Sequence, residues 1–272
     1  MSNSSTGLYP FGVEQKEFNQ MKLQSQAARG FPLDKKVWDF VRLTPTMKGL
    51  VLTSGAGIIA GAVSCQLAKI VHLGDVIGVD TAESFLEETK HCQQTENVSN
   101  VTFQQQGDVY ELDLPEASFD FVYARFLFQR LSDPMKVVAS LYRVLKPGGK
   151  LCLVDIDDDW LTFYPEPPSY ASLKQRIIVA RQTAEGDFYV GRKLGNYLHR
   201  GGLTEVQTMI DTTTRTTDGL KVLLGLFWKR CGVLPPDKED VVTKARDDLY
   251  SLLELPYAWA GIGFFVATGR KP

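Results

Sequence analysis

Gly55-Ala56-Gly57 lies between a short apolar run, Val51–Ser54, and a stretch of helical periodicity, Ile58–Val71. Small residues at such a junction let the main chain approach a ligand closely. The helix that follows offers it unpaired N–H groups. The same pattern also serves as a plain strand-to-helix turn. Asp80 ends a second apolar run, about twenty residues further on, where a carboxylate can accept from both hydroxyls of a ribose; capping a helix is its other use. Gly107-Asp108-Val109 follows a third run. A carboxylate there can accept from an adenine amino group, or can simply turn the chain.

A second group of acids, Asp155, Asp157, Asp158 and Asp159, follows the fifth apolar run. Asp155 is the candidate for orienting or deprotonating a substrate. A metal site is the weaker use of this group, because no octahedral ligand set accompanies it; a solvated acidic loop is the plainer expectation. The histidines His72, His91 and His199 fall late in helical stretches. His199 suits a helix C-terminus, and none is placed as a general base. Cys65, Cys92, Cys152 and Cys231 are widely spaced with no C-x-x-C pair, which argues against zinc and a disulfide framework and for a reducing cytoplasm.

These residues need a scaffold that brings the ends of several strands to one edge. Asp75–Asp80, Val101–Gln106 and Phe119–Ala124 read as strands after Val51–Ser54, with helices at Ile58–Val71, Ala82–Gln94 and Pro134–Leu145 between them. Asp133 and Pro134 form a helix start, and LKPGG ends that helix in a turn before the strand KLCLVDID. Alternation of strand and helix at this pitch specifies a parallel sheet covered on both faces. The pattern then loosens. Residues 157–190 are rich in aromatics and prolines, with a helix from Tyr170 to Thr183, and Arg192–Arg200 is another helix. Val206–Thr213 is a strand, residues 218–254 hold two helices, and GIGFFVATGRK is a last strand. Ligands of open α/β sheets bind beyond the carboxyl ends of the strands. Insertions that begin there are natural lids, and Trp160, Phe163, Tyr164, Tyr170, Phe188, Tyr189, Phe227 and Trp228 supply aromatic surface shared between pocket and core.

The chain has 272 residues, 44% apolar and 23% charged, with a net charge of -2 and no basic stripe. This excludes a nucleic-acid phosphate backbone as the expected partner and favours a small, uncharged or amphipathic one. No leader and no membrane-spanning run is read from it, so neither membrane nor nucleic acid is expected as partner.

Taken in order, VLTSGAG, GVD, GDV, FDFVYARFLFQRLSDP and LKPGGKLCLVD resemble the class I S-adenosylmethionine-dependent methyltransferases, in the branch that acts on small molecules and natural products. The resemblance runs through roughly residues 50 to 156. It implies a Rossmann-like α/β fold: a seven-stranded, mostly parallel sheet with helices on both faces and an antiparallel last strand. Helical cap insertions would occupy about 157–190 and 217–256, within a domain spanning 46–272, and residues 1–45 would form a helical arm or lid. It implies S-adenosylmethionine as cofactor, with Gly55, Ala56 and Gly57 passing its methionine end and ribose, Asp80 on the ribose, Thr81 beside the adenine, Asp108 and Val109 on the adenine, and Arg125 near the methionine part. From the arm, Tyr9 is a candidate lid residue at the reaction centre and Gln26 a further cofactor contact. The long polar arm suggests a homo-oligomer.

Two departures stand out: Thr53 replaces the family's acid before the glycines, and the expected third glycine is displaced to Gly61. They leave open a methyltransferase-like fold that binds the cofactor without methyl transfer, in a cyclase or binding role. A short-chain-dehydrogenase-like NAD(P) oxidoreductase also stays open, on the strength of Tyr170-x-x-x-Lys174.

Overall fold

A computed structural model describes residues 33–53, 58–80, 93–105, 108–182, 186–187, 189–215, 219–221, 223–224, 227 and 239–272. Eight strands form one sheet: β1 (Gly49–Thr53), β2 (Val76–Asp80), β3 (Val101–Gln105), β4 (Phe119–Arg125), β5 (Leu145–Ile156), β6 (Thr162–Tyr164), β7 (Thr204–Arg215) and β8 (Trp259–Arg270). Their order is β3-β2-β1-β4-β5-β8, with β7 on the outer edge of β8. β1 to β5 pair in parallel, while β5, β6 and β7 all pair antiparallel to β8. Only β8 therefore runs against the rest, and the antiparallel last strand is as expected. The eighth strand is new. β6 lies in the first insertion and continues the line of β5 along β8, with Phe163 opposite Ala260, so that insertion is not purely helical.

Strand residues alternate between two cores, because successive side chains point to opposite faces. Leu50, Leu52, Val122, Ala124, Leu151, Leu153, Phe265 and Ala267 meet helices α3 (Pro134–Val144) and α5 (Leu194–Arg200) on one face. Val51, Phe121, Tyr123, Cys152, Val154, Phe264 and Val266 meet α1 (Leu33–Val41) and α2 (Ile58–Ile70) on the other. Both faces are covered, as a parallel sheet requires. α3 forms where its signals place it. Asp133 Oδ1 accepts from Lys136 N at 3.0 Å and Pro134 opens the helix, while Val137, Val138, Leu141 and Val144 bury one stripe. Such a cap contributes about 1 kcal/mol.

Leu145–Gly149 differs from the expected turn. It is already part of β5, and the register against β4 slips from Phe119–Leu145 to Phe121–Lys150 around Gly148, whose φ is +79°. The slip sits at the amino end of β5, opposite the edge that matters for ligands. α1 falls within the stretch expected as an arm, yet Val37, Trp38 and Val41 are core, and Trp38 meets Tyr123 edge-on at 4.8 Å.

The two insertions share a third core. Phe163, Tyr170, Leu173 and Ile177, on β6 and α4 (Pro168–Gln182), pack with Leu220, Leu224, Phe227 and, from α6 (Glu239–Ser251), Ala245 and Leu249. Ile262 of β8 touches both this core and the second one. Among the described residues no helix is long and apolar enough to cross a membrane.

Candidate active site

The register fixes which residues share the carboxyl edge. Leu52 pairs with Val79 and Thr53 with Arg125, while Arg125 pairs with Val154. Asp80, Thr53 and Arg125 thus end three adjacent strands side by side, with Asp155 one step beyond on β5. The chain leaves β1 toward β2 on one side while β4 lies on the other. This is the topological switch point, where open α/β sheets bind ligands.

Each of these side chains is set apart from bulk water. Thr53 is 7% exposed, and its Oγ1 has no hydrogen-bond partner among the described residues. A buried hydroxyl in that state costs free energy unless a ligand completes it. Asp80 is half-buried with Oδ2 shielded from solvent. Arg125 is 3% exposed, its guanidinium 4.8 Å from the Phe126 ring centre. A row of carboxylate, unsatisfied hydroxyl and buried guanidinium suits a ligand that carries a diol at one end and a carboxylate at the other. Asp108 is exposed at the next tip, and its Oδ1 accepts from Tyr110 N at 2.8 Å, so it does turn the chain. Val109 belongs to the first core, which leaves only its main chain for ligand contact. Tyr9, Gln26, Gly55, Ala56, Gly57 and Thr81 lie outside the described residues, as do Phe188 and Trp228.

The acids at the end of β5 divide: Asp155 and Asp157 are buried, whereas Asp159 is exposed. Asp155 is fully buried, with Oδ2 accepting from Gln129 N at 3.1 Å and Oδ1 from Ile156 N at 2.9 Å. Both oxygens are engaged by main-chain donors, which suits a carboxylate that holds a loop in place. This is a narrower use than the substrate-facing one expected from sequence. Asp157, 1% exposed, takes a two-pronged bond from Arg192, Nε to Oδ2 at 2.6 Å and Nη2 to Oδ1 at 2.5 Å. Arg192 also reaches Asp159 at 2.8 Å, and Lys174 stands 3.3 Å from Asp159. The Arg192 hydrogen bond is the main cause that holds the Asp159 carboxyl below its usual range, against the opposing effect of burial and with help from Lys174. The Asp157 bond, first, and the Asp159 bond, second, raise the Arg192 guanidinium further. Among the described residues no cluster of three or more histidines, cysteines or acids is arranged to hold a metal. Burial pushes the Cys152 thiol up, so it stays protonated and inert within the sheet.

Several residues at this edge have no sequence signal. Phe126, immediately after β4, has φ of +55°, a left-handed conformation rare for a bulky side chain. Its N–H donates to Val154 O at 2.8 Å and its ring faces Phe264 at 6.0 Å. Gln129, 6% exposed, sits in a short 3-10 turn, Phe128–Arg130, and its Nε2 donates to Phe126 O at 3.3 Å. Its carbonyl accepts from Asp187 N at 3.0 Å. The aromatics divide. Phe163, Tyr170 and Phe227 pack on one another within the third core, whereas Trp160 lies over Gly263 and edge-on to Phe265, still 42% exposed. Tyr170 and Lys174 do not form a proton-transfer pair: the phenol is directed to the Leu161 carbonyl and the ammonium to Asp159.

Comparison with known proteins places these observations. Residues 52–153 match a family described as a methyltransferase domain. An uncharacterized methyltransferase of Schizosaccharomyces pombe is 31% identical over 131 residues, which is 46% of this chain and 46% of that protein. A demethylmenaquinone methyltransferase of Listeria welshimeri is 37% identical over 82 residues, 30% of this chain and 34% of that protein. The chain thus spans less than half the length of these curated relatives. The crystal structure of the YcgJ protein from Bacillus subtilis matches with a TM-score of 0.57 over 88% of this chain and 97% of that one, at 21% identity, which is a likeness of fold.

Proposed function

We propose that this chain, whose residues 52–153 match a methyltransferase domain, is a class I S-adenosylmethionine-dependent methyltransferase that transfers a methyl group to a small-molecule acceptor of natural-product type. One observation carries the reading: Asp80, Thr53 and Arg125 stand in a row across three adjacent strand tips at the switch point. Bound S-adenosylmethionine supplies a methyl group on a sulfonium, open to in-line displacement. The chain's own residues have complementary tasks. Asp80 accepts from the ribose hydroxyls, Asp108 accepts from the adenine amino group through Oδ2, and Thr53 Oγ1 gains the partner it lacks. Arg125 donates to the methionine carboxylate, a charge-assisted bond in a site that excludes water. The glycine loop Gly55-Ala56-Gly57, with Thr81, Val109 and Gln26, completes the binding set, and Tyr9 closes over it.

Catalysis then rests on alignment and exclusion of water, which in favourable cases contribute about 7–11 kcal/mol. A base is needed only when the acceptor must lose a proton. Asp155, already bonded by two main-chain donors, serves here as the residue that fixes the β4 loop. The third core, shared by the two insertions, is the cap over the acceptor side. Support for a small acceptor comes from two directions: a relative whose name specifies demethylmenaquinone, and the apolar ring of Phe126 beside Arg125, itself next to Phe264.

Labelled S-adenosylmethionine incubated with the protein and a panel of quinols, phenols and amines tests the reading. Transfer of label to a small molecule is the expected outcome. Binding of S-adenosylhomocysteine with no transfer to any acceptor would instead favour a role that uses the cofactor without turnover.

A further inference from the structure

We propose that Gln129 is a positioning residue that ties the segment at residues 186–187 to the tip of β4, so that the placement of that segment sets the conformation of Phe126 and the wall it forms beside Arg125.

Three groups of Gln129 hold three separate pieces of chain. Its main-chain N–H donates to Asp155 Oδ2, its side-chain Nε2 donates to Phe126 O, and its carbonyl accepts from Asp187 N. Asp155 is fully buried and continues a central strand, so it is the fixed end of the arrangement. The 186–187 segment is the other end. Gly186 has φ of +121°, and a Cβ there would come within 2.5 Å of the Gln129 carbonyl oxygen. Only glycine lets the chain approach that closely and turn that way. On the other side of the same segment, Lys193 bonds Asp187 and Arg192 bonds the buried Asp157. Asp187, Arg192 and Lys193 are therefore anchored to the post-β5 loop and to Gln129 together.

Phe126 receives the effect. A left-handed bulky residue persists only where its surroundings over-determine it. Here both of its main-chain groups are held, the N–H by Val154 O and the carbonyl by Gln129 Nε2. Releasing the carbonyl frees the peptide to relax toward an ordinary φ. The ring would then leave the Arg125 guanidinium and Phe264. Movement at 186–187 thus reaches Arg125 through one main-chain hydrogen bond and one side-chain hydrogen bond. Its meaning for methyl transfer rests on the function proposed above; the coupling itself is a property of the unliganded chain.

Hydrogen exchange on the full unliganded chain tests it. Gly186→Ala is expected to lower protection of amides in residues 126–131 by roughly tenfold, the size of one buried hydrogen bond, with β1 and β2 unchanged. Gln129→Glu keeps the shape but sets a carboxylate against the Phe126 carbonyl at neutral pH. Its protection factors in 126–131 should recover as the pH falls through about 5, where the carboxyl regains a donor. Gln129→Ala should show the same loss with no recovery. Extra exchange in Gly186→Ala confined to 186–193, or identical pH behaviour of the Glu and Ala variants, would overturn the proposal. A wild-type chain that fails to bind S-adenosylhomocysteine would remove the functional reading and leave this coupling to be decided by the exchange data.

Discussion

The row of strand tips has two halves built in different ways. On the β1–β2–β3 side, each candidate contact is a short local motif: Asp80 ends its own strand, and Asp108 bonds the amide two residues on. On the β4–β5 side, the contacts join distant parts of the chain. Gln129 meets Asp155 across 26 positions, and Arg192 meets Asp157 across 35. The first half presents its candidate contacts with little investment in tertiary structure, whereas the second spends buried charge and a strained residue on holding loops in place. A cofactor common to many enzymes can be held by local motifs, but an acceptor edge must be shaped by the fold around it.

That contrast can be broken or sharpened by substitution. Arg192→Ala should have the largest effect. It leaves the fully buried Asp157 carboxylate without its two-pronged partner, and because Arg192 is itself half-exposed the loss should be about 3 kcal/mol, at the low end for a broken buried pair. Urea unfolding measures it. An Arg192→Ala chain of wild-type stability would remove the network's structural role and, with it, the distinction between the two halves. Asp80→Ala should do the reverse, weakening S-adenosylhomocysteine binding by about 1.5–3 kcal/mol in calorimetry while the urea midpoint stays in place. A stability loss without an affinity loss would make Asp80 a structural cap.

The acid limb of stability comes next in size. Because Arg192 and Lys174 depress the folded-state pKa of Asp159, its contribution is complete above the unfolded carboxylate pKa of about 3.9 and is lost as the pH falls through the lower folded value. Asp159→Asn should therefore flatten the loss of stability below about pH 4. The change should be well under 1 kcal/mol, since the carboxylate is nearly half exposed. A steeper acid limb in the variant would contradict the assignment. The smallest effect belongs to Lys136, whose pair with Glu111 is exposed to solvent. Lys136→Ala should leave thermal unfolding unchanged, and a clear drop in Tm would show that surface pairs near the β3 tip carry more than solvent screening allows.

Much of the fold was legible because its signals are local. Alternation in the strands and the Asp133–Pro134 start of α3 both depend on residues a few positions apart. That Asp80 and Arg125 fall at strand ends was legible for the same reason. Phe126 reads as one more apolar residue after a strand, and its left-handed φ accompanies hydrogen bonds to Val154 and Gln129 that the fold alone brings together. Asp155 and Asp157 read as members of an acidic loop until the fold buries them against Gln129 and Arg192. β6 escaped notice because three residues, Thr162–Tyr164, carry too short a period to register, and their pairing partner is nearly a hundred positions away.

The central claim is that an adenosyl group spans the β1, β2 and β3 tips while a carboxylate reaches Arg125. Crystals grown with S-adenosylhomocysteine test it most directly. We expect the ribose against Asp80, the adenine beside Asp108 and the amino-acid carboxylate on the Arg125 guanidinium. Ligand bound elsewhere on the chain, or side chains filling that edge in its place, would contradict the account.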